Sequence, residues 1–252
     1  MILLIGEEYN NMNRKKVMWV CCDIQGTYTS SDLHADQRRL EILIKMDDIR
    51  KQLELDYVVF SFLSTMECRY ILDYYETNKT SRGINELIKT TNKISDTKII
   101  CGPQMGCDGS LYNGKEVKNI CNSYVSKAEQ LITQKRKLEE TDLDINKIIY
   151  IDDQPNVNAQ IALSNKNIIN SICNNDLEFI IIHNNSGPLY LTDQAILYAN
   201  IYECENKNGL DFVIEGLDKL ETDISKKKGV SYEKSSRIYC RSKCNNNRGS
   251  IL

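Results

Sequence analysis

The chain has 252 residues, of which 41% are hydrophobic and 27% charged, the make-up of a soluble globular domain with at most a small appendage. A net charge of −3 excludes a chain that is basic throughout in the manner of nucleic-acid binders. With 3 prolines and 12 glycines, no flexible linker divides it into two obvious domains.

Residues 1–15 read as an N-terminal extension. Its apolar run, Ile2 to Ile5, is too short for a signal peptide or a membrane span. Lys16 to Cys22 is a continuous apolar run ending at Asp23, which predicts a strand covered on both faces. A polar loop follows, then an amphipathic helix over 33–54 carried by Leu40, Leu43, Ile44 and Leu53. Tyr57 to Phe60 predict a second strand ending at Ser61. Ser64 and Glu67 have capping-box spacing, so a helix is expected from there to Tyr75. Ile84, Leu87 and Ile88 mark another short helix, and Lys98 to Cys101 a third strand. Gly102 to Gly114 reads as a loop or small hairpin.

Ser126 and Glu129 form a second capping box, ahead of a helix that buries Ala128, Leu131, Ile132 and Leu138. Lys147 to Ile151 predict a fourth strand, ending at Asp152 and Asp153. A short helix is expected over 157–163, a fifth strand over Glu178 to His183, and helices near 192–203 and 209–222. After Ser225 the apolar pattern stops. Strands alternating with helices imply βαβ units: an α/β, Rossmann-like domain over 16–224, with a mostly parallel sheet and helices on both faces. Ligands of such sheets bind beyond the carboxyl ends of the strands, where Asp23, Ser61, Asp152 and Asp153 all fall.

Ten cysteines are scattered without a Cys-x-x-Cys pair, and His34 and His183 are the only histidines, which argues against a zinc site. Unpatterned cysteines fit a reducing, cytoplasmic setting. No membrane span is expected.

Each candidate residue has an ordinary reading beside a chemical one. Asp23 before Gly26 and Thr27 suits a turn, but a carboxylate at a strand end also attacks phosphorus or binds a hard cation. Asp152 and Asp153 form a solvated turn before Pro155 or a cation site, since adjacent acids are costly otherwise. Lys127 is a solvated lysine or a neutraliser of phosphate. Ser61 is a strand residue or a hydroxyl donor to a phosphate oxygen.

In their order, these elements resemble the motifs of the haloacid-dehalogenase-like (HAD-like) superfamily. There a strand ends in Asp-x-Asp-Gly-Thr, here Asp23-Ile24-Gln25-Gly26-Thr27; a second strand ends in Ser or Thr, here Ser61. A lysine opens the helix before the fourth strand, here Lys127, and that strand ends in paired acids, here Asp152 and Asp153. The likeness covers residues 16 to 185. It implies an aspartyl-phosphate on Asp23, with Mg²⁺ held by Asp23, the backbone carbonyl of Gln25, Asp152 and Asp153. It implies that Ser61 and Lys127 hold the phosphoryl oxygens, with the Gly26-Thr27 turn beside them. A phosphorylated substrate follows.

Gln25 departs from the pattern. The family's usual general acid/base stands there, and a carboxamide carries no proton near neutral pH, a loss of roughly 10²–10⁴-fold in rate. Glu67 and His34 are other polar candidates for that work. A HAD-like binding or regulatory protein without turnover is therefore the alternative. A response-regulator receiver clusters similar groups in the reverse order. The resemblance also implies little or no cap, because one loop and one helix fill the stretch between Asp23 and Ser61. An open site suits a large substrate, a phosphoprotein or a nucleic-acid end. Residues 225–252 hold many Lys and Arg against Glu233 alone, with Tyr232 and Tyr239 between them. They read as a flexible, solvated tail or as a contact for nucleic acid or another acidic partner.

Overall fold

The run from Lys16 forms β1 (Lys15–Cys22), and six of its residues are buried because both faces are covered. The computed structural model describes residues 14–29, 34–77, 82–153, 177–184, 199–205 and 209–245, with side chains described through residue 229. The helix expected over 157–163 and nearly all of the N-terminal extension lie outside the described residues.

Chain order continues with α1 (Ala35–Gln52), β2 (Tyr57–Phe62), α2 (Cys68–Glu76), α3 (Ile84–Ser95) and β3 (Ile99–Cys101). Three short strands follow, β4 (Gln104–Met105), β5 (Ser110–Tyr112) and β6 (Val117–Asn119). Then come α4 (Lys127–Glu139), β7 (Leu143–Asp152), β8 (Glu178–Asn184), β9 (Ala199–Cys204) and α5 (Leu210–Asn245). The main sheet has six strands in the order β3-β2-β1-β7-β8-β9. Every neighbouring pair is parallel. This is the expected α/β, Rossmann-like arrangement.

The order reverses between β1 and β7. The chain leaves β1 toward β2 and β3, then returns to β1's other side, which makes the carboxyl ends of β1 and β7 the topological switch point, where ligands of such sheets bind. Alternate residues of β1 feed two cores. Met18, Val20 and Cys22 pack with α1, α2, α3 and α5, through Ile42, Leu43, Ile71, Leu87, Phe212 and Leu217. Val17, Trp19 and Cys21 pack with α4 through Leu131 and Leu138. Helices thus cover both faces.

Several expectations are corrected. Residues 199–204 form a sixth parallel strand, not the end of a helix: Phe179 to Asn184 pair with them in register. The backbone of α5 continues past Ser225 to Asn245, so most of the C-terminal segment read as a tail is helical. The apolar pattern ends near Ile224, after which residues 225–229 are exposed, and periodicity reports burial, not helicity. The stretch from Gly102 holds a three-stranded antiparallel sheet, β4-β5-β6, in agreement with the hairpin reading. Among the described residues no helix is long and apolar enough to cross a membrane.

Helices α1 and α5 run side by side in the same direction. Arg38 pairs with Asp211, and Lys45 with Asp218 at 2.5 Å, both at a sequence separation of 173. Ser225 donates to Gln52 Oε1 at 3.3 Å with the same separation. The constant offset at seven-residue steps is a parallel, heptad-like seam.

Candidate functional site

Asp23 leaves β1 at the reversal point and is tied to its neighbour strand, where its N–H donates to the Ile151 carbonyl at 2.8 Å. The following turn, Ile24–Tyr28, closes when the Thr29 N–H donates to Ile24 O at 2.9 Å. Its conformation needs Gly26, whose φ is +73°. Space demands it too: a Cβ there would meet Asp153 Oδ2 at 2.3 Å, so only a glycine lets the turn lie against that carboxylate. Thr27 adds a second link. Its Oγ1 accepts from the Asp153 N–H at 3.0 Å and contacts Asp153 Oδ1 at 3.4 Å. From outside, the Gly209 N–H donates to Gly26 O at 3.0 Å, which places the start of α5 on this turn.

Lys127 arrives from α4. The capping box predicted for this helix is present: Ser126 Oγ accepts from the Glu129 N–H at 3.3 Å, and Ser126 N–H donates to Glu129 Oε2 at 2.9 Å. The cap fixes where the helix begins, and Lys127 is its first residue. Its ammonium bridges two carboxylates, Asp23 Oδ1 at 2.7 Å and Asp152 Oδ2 at 2.7 Å. All three side chains are buried. Asp23, Asp152 and Asp153 can each offer one oxygen to a cation, with those atoms within 4.8 Å of one another.

Charge explains the electrostatics. With all three carboxylates ionised, the one ammonium leaves an excess of two negative charges in a largely buried place. Burial pushes the Asp23 carboxyl up to about 7; Lys127 pulls it down, and the Asp152 charge adds to the rise. Burial and Asp152 raise Asp153 as well, against Lys127 and Thr27. Burial lowers Lys127, but Asp152 and Asp23 outweigh it, so its ammonium is held charged. A divalent cation supplies the two positive charges the cluster lacks, and an all-oxygen donor set suits a hard one.

Asp23, Gly26, Thr27, Lys127, Asp152 and Asp153 are thus brought together. Gln25 is exposed on the same turn. Ser61 is not at the strand end. It lies inside β2 in register with Cys21, fully buried, and its Oγ accepts from Trp19 Nε1 at 3.1 Å. A serine that breaks an apolar run imitates a strand end; here the indole satisfies its hydroxyl and the strand goes on. The first hydroxyl beyond β2 is Ser64. Cys22 is level with Phe62 and Leu63 N–H donates to Cys22 O at 3.0 Å, so Ser64 stands one residue past the level of Asp23. It is not a helix cap: α2 begins after Glu67, and Ser64 Oγ accepts from the Met66 N–H at 3.3 Å. Glu67 pairs with Arg69 at 2.8 Å, and His34 precedes α1; the acidic cluster contains neither.

Two residues beside the cluster are not among the predicted site residues. Tyr150, two positions before Asp152 on β7, directs its hydroxyl to Asp152 Oδ2, and burial, then the Asp152 charge, pushes its pKa well up. His183, next to last on β8, is in register with Asp152 and buried, its Nδ1 bonded to Asn184 O at 2.8 Å. The i, i+2 spacing of Tyr150 and Asp152 was the available signal, because alternate strand residues share a face.

Fold and site together define an α/β protein with a Rossmann-like parallel sheet and a buried acidic cluster, able to bind a metal ion, at its topological switch point. The sequence matches no protein-family model, and no curated protein matches it.

Proposed function

We propose that the chain is a HAD-like, Mg²⁺-dependent phosphohydrolase or phosphotransferase that works through an aspartyl-phosphate on Asp23. The observation that carries this reading is Lys127, whose ammonium reaches Asp23 and Asp152 at 2.7 Å each from sequence separations of 104 and 25. Asp23, Asp152 and Asp153 would hold the ion. Bound Mg²⁺ would neutralise phosphoryl oxygens and orient the group for in-line attack.

The remaining chemistry belongs to the chain. An Asp23 carboxylate oxygen attacks phosphorus, and the bond from phosphorus to the ester oxygen breaks with its electron pair going to the leaving group. Lys127 transfers its hydrogen bonds to phosphoryl oxygens, with Ser64 in the place expected of Ser61. Water then opens the aspartyl-phosphate and releases inorganic phosphate. Without an acid at Gln25, a leaving group that departs as a stable anion is favoured, and an aryl oxide does so unprotonated. Aryl phosphates are therefore turned over in preference to alkyl phosphates, and the slow step is hydrolysis of the acyl-phosphate.

Asp23→Asn tests this directly. It should abolish Mg²⁺-dependent phosphate release from an aryl phosphate, and the wild type should lose the same activity in EDTA. Equal turnover by Asp23→Asn would refute the proposal. The second reading, a phosphate- or partner-binding protein without turnover, is favoured by the exposed carboxamide of Gln25. Under it, wild-type protein releases no phosphate, whereas Gln25→Asp does.

A further inference from the structure

We propose that Tyr150 is a positioning residue of the acidic cluster: its hydroxyl, bonded to Asp152 Oδ2, fixes that carboxylate in the orientation that binds the cation. The inference rests on the reading of Asp23, Asp152 and Asp153 as a Mg²⁺ site. Tyr150 stands on β7, level with Cys21 on one side and Ile181 on the other, and is buried in the core beneath α4. Its ring is therefore held by two strands and a helix layer.

The hydroxyl is what packing leaves unexplained. Phenylalanine would fill the same space, and a buried phenolic O–H is unfavourable unless it finds a partner. Here the partner is the same oxygen that accepts from Lys127 at 2.7 Å. A carboxylate oxygen has two acceptor directions, so the two donors together set the plane of the Asp152 carboxyl. The two donors differ in one respect. Lys127 also serves Asp23, and in the proposed reaction it gives up carboxylate contacts to meet the phosphoryl group. Tyr150 has no such second task, because its ring is confined to the core. Through the reaction it is the tether that keeps Asp152 in place. Partners of this kind behind a metal-binding side chain typically change metal affinity by about 10–100-fold.

The test uses full-length protein and Mn²⁺, whose free form is counted by electron paramagnetic resonance. Tyr150→Phe should bind Mn²⁺ about 10–100-fold more weakly than wild type. Aryl phosphate turnover should fall at low Mg²⁺ and recover as Mg²⁺ is raised. In an Asp152→Asn background, adding Tyr150→Phe should cause no further loss of Mn²⁺ affinity, because the tyrosine acts through that carboxylate. Equal Mn²⁺ affinity of wild type and Tyr150→Phe overturns the proposal while the metal-site reading stands. Losses that multiply in the double variant also overturn it, since a general weakening of the fold acts in both backgrounds. A wild type that binds no Mn²⁺ removes the metal-site reading itself, and the role of Tyr150 with it.

Discussion

Ser61 and Ser64 are three positions apart, both buried, and set to different work because Ser61 lies within β2 and Ser64 beyond its end. Ser61→Ala removes the acceptor of the Trp19 indole and leaves a buried N–H unpaired, at a cost of about 1–3 kcal/mol. Its melting temperature should fall, and its kcat/KM for an aryl phosphate should stay close to wild type. Ser64→Ala should do the opposite: kcat/KM should drop roughly 10-fold or more, the scale of one hydrogen bond to a charged oxygen, with little change in melting. Melting curves and steady-state kinetics on the two variants decide the assignment. A drop in kcat/KM confined to Ser61→Ala would reverse it. At this scale the sequence was informative wherever a strand ended in charge. Asp23, Asp152 and Asp153 were legible because a buried apolar run stops abruptly at each. Ser61 misled because a small polar residue is tolerated inside a strand once a neighbour supplies its hydrogen bond, and that neighbour is 42 residues away.

At the scale of elements, Asp47 ties a helix to a strand. Its carboxylate accepts from Arg50 Nε at 2.7 Å within α1 and from the Lys98 N–H, just before β3, at 2.9 Å. Burial pushes this carboxyl up, but the bonds from Arg50, the Lys98 backbone and Lys51 outweigh it, and the pKa lies below its ordinary value. The sign then follows from linkage. A carboxyl lowered on folding contributes stability above its unfolded pKa of about 3.9, and that contribution is lost as pH falls from there through the folded value. Asp47→Asn should therefore be less stable than wild type at pH 7, and the gap should narrow below about pH 4. Denaturant unfolding at a series of pH values measures it; a gap independent of pH would show that the charge of Asp47 contributes nothing. Elements also show where local pattern fails. Ser126–Glu129 and Ser64–Glu67 have the same spacing, yet only the first pair caps a helix. Ser64 has instead its carbonyl committed to Gln130 Nε2 at 2.9 Å. The strand Ala199–Cys204 was read as helix because a short apolar run fits either period, and what decides is pairing with β8.

Across the whole molecule, the last helix completes the first core. Phe212, Val213 and Leu217 of α5 are fully buried beside Ile42, Leu43 and Met46 of α1. Leu217→Ala should cost about 2–5 kcal/mol in unfolding free energy. A half-buried partner in the seam, Lys45→Ala, should cost no more than about 1 kcal/mol, because its short ion pair is with the exposed Asp218. Denaturant midpoints of the two variants test the ranking, and equal midpoints would contradict it. Parallel topology was legible from alternation alone. The α1–α5 seam was not, since nothing local announces partners 173 positions apart.

The contact between Gly209 and Gly26 has a consequence for synthesis. Translation delivers the turn beside Asp23 long before its external support at Gly209. A truncated polypeptide stopped before Gly209 carries all three clustered carboxylates yet lacks the strut beneath the turn. The emergence of Gly209, rather than of Asp23, thus marks when the turn beside the cluster gains its full set of contacts.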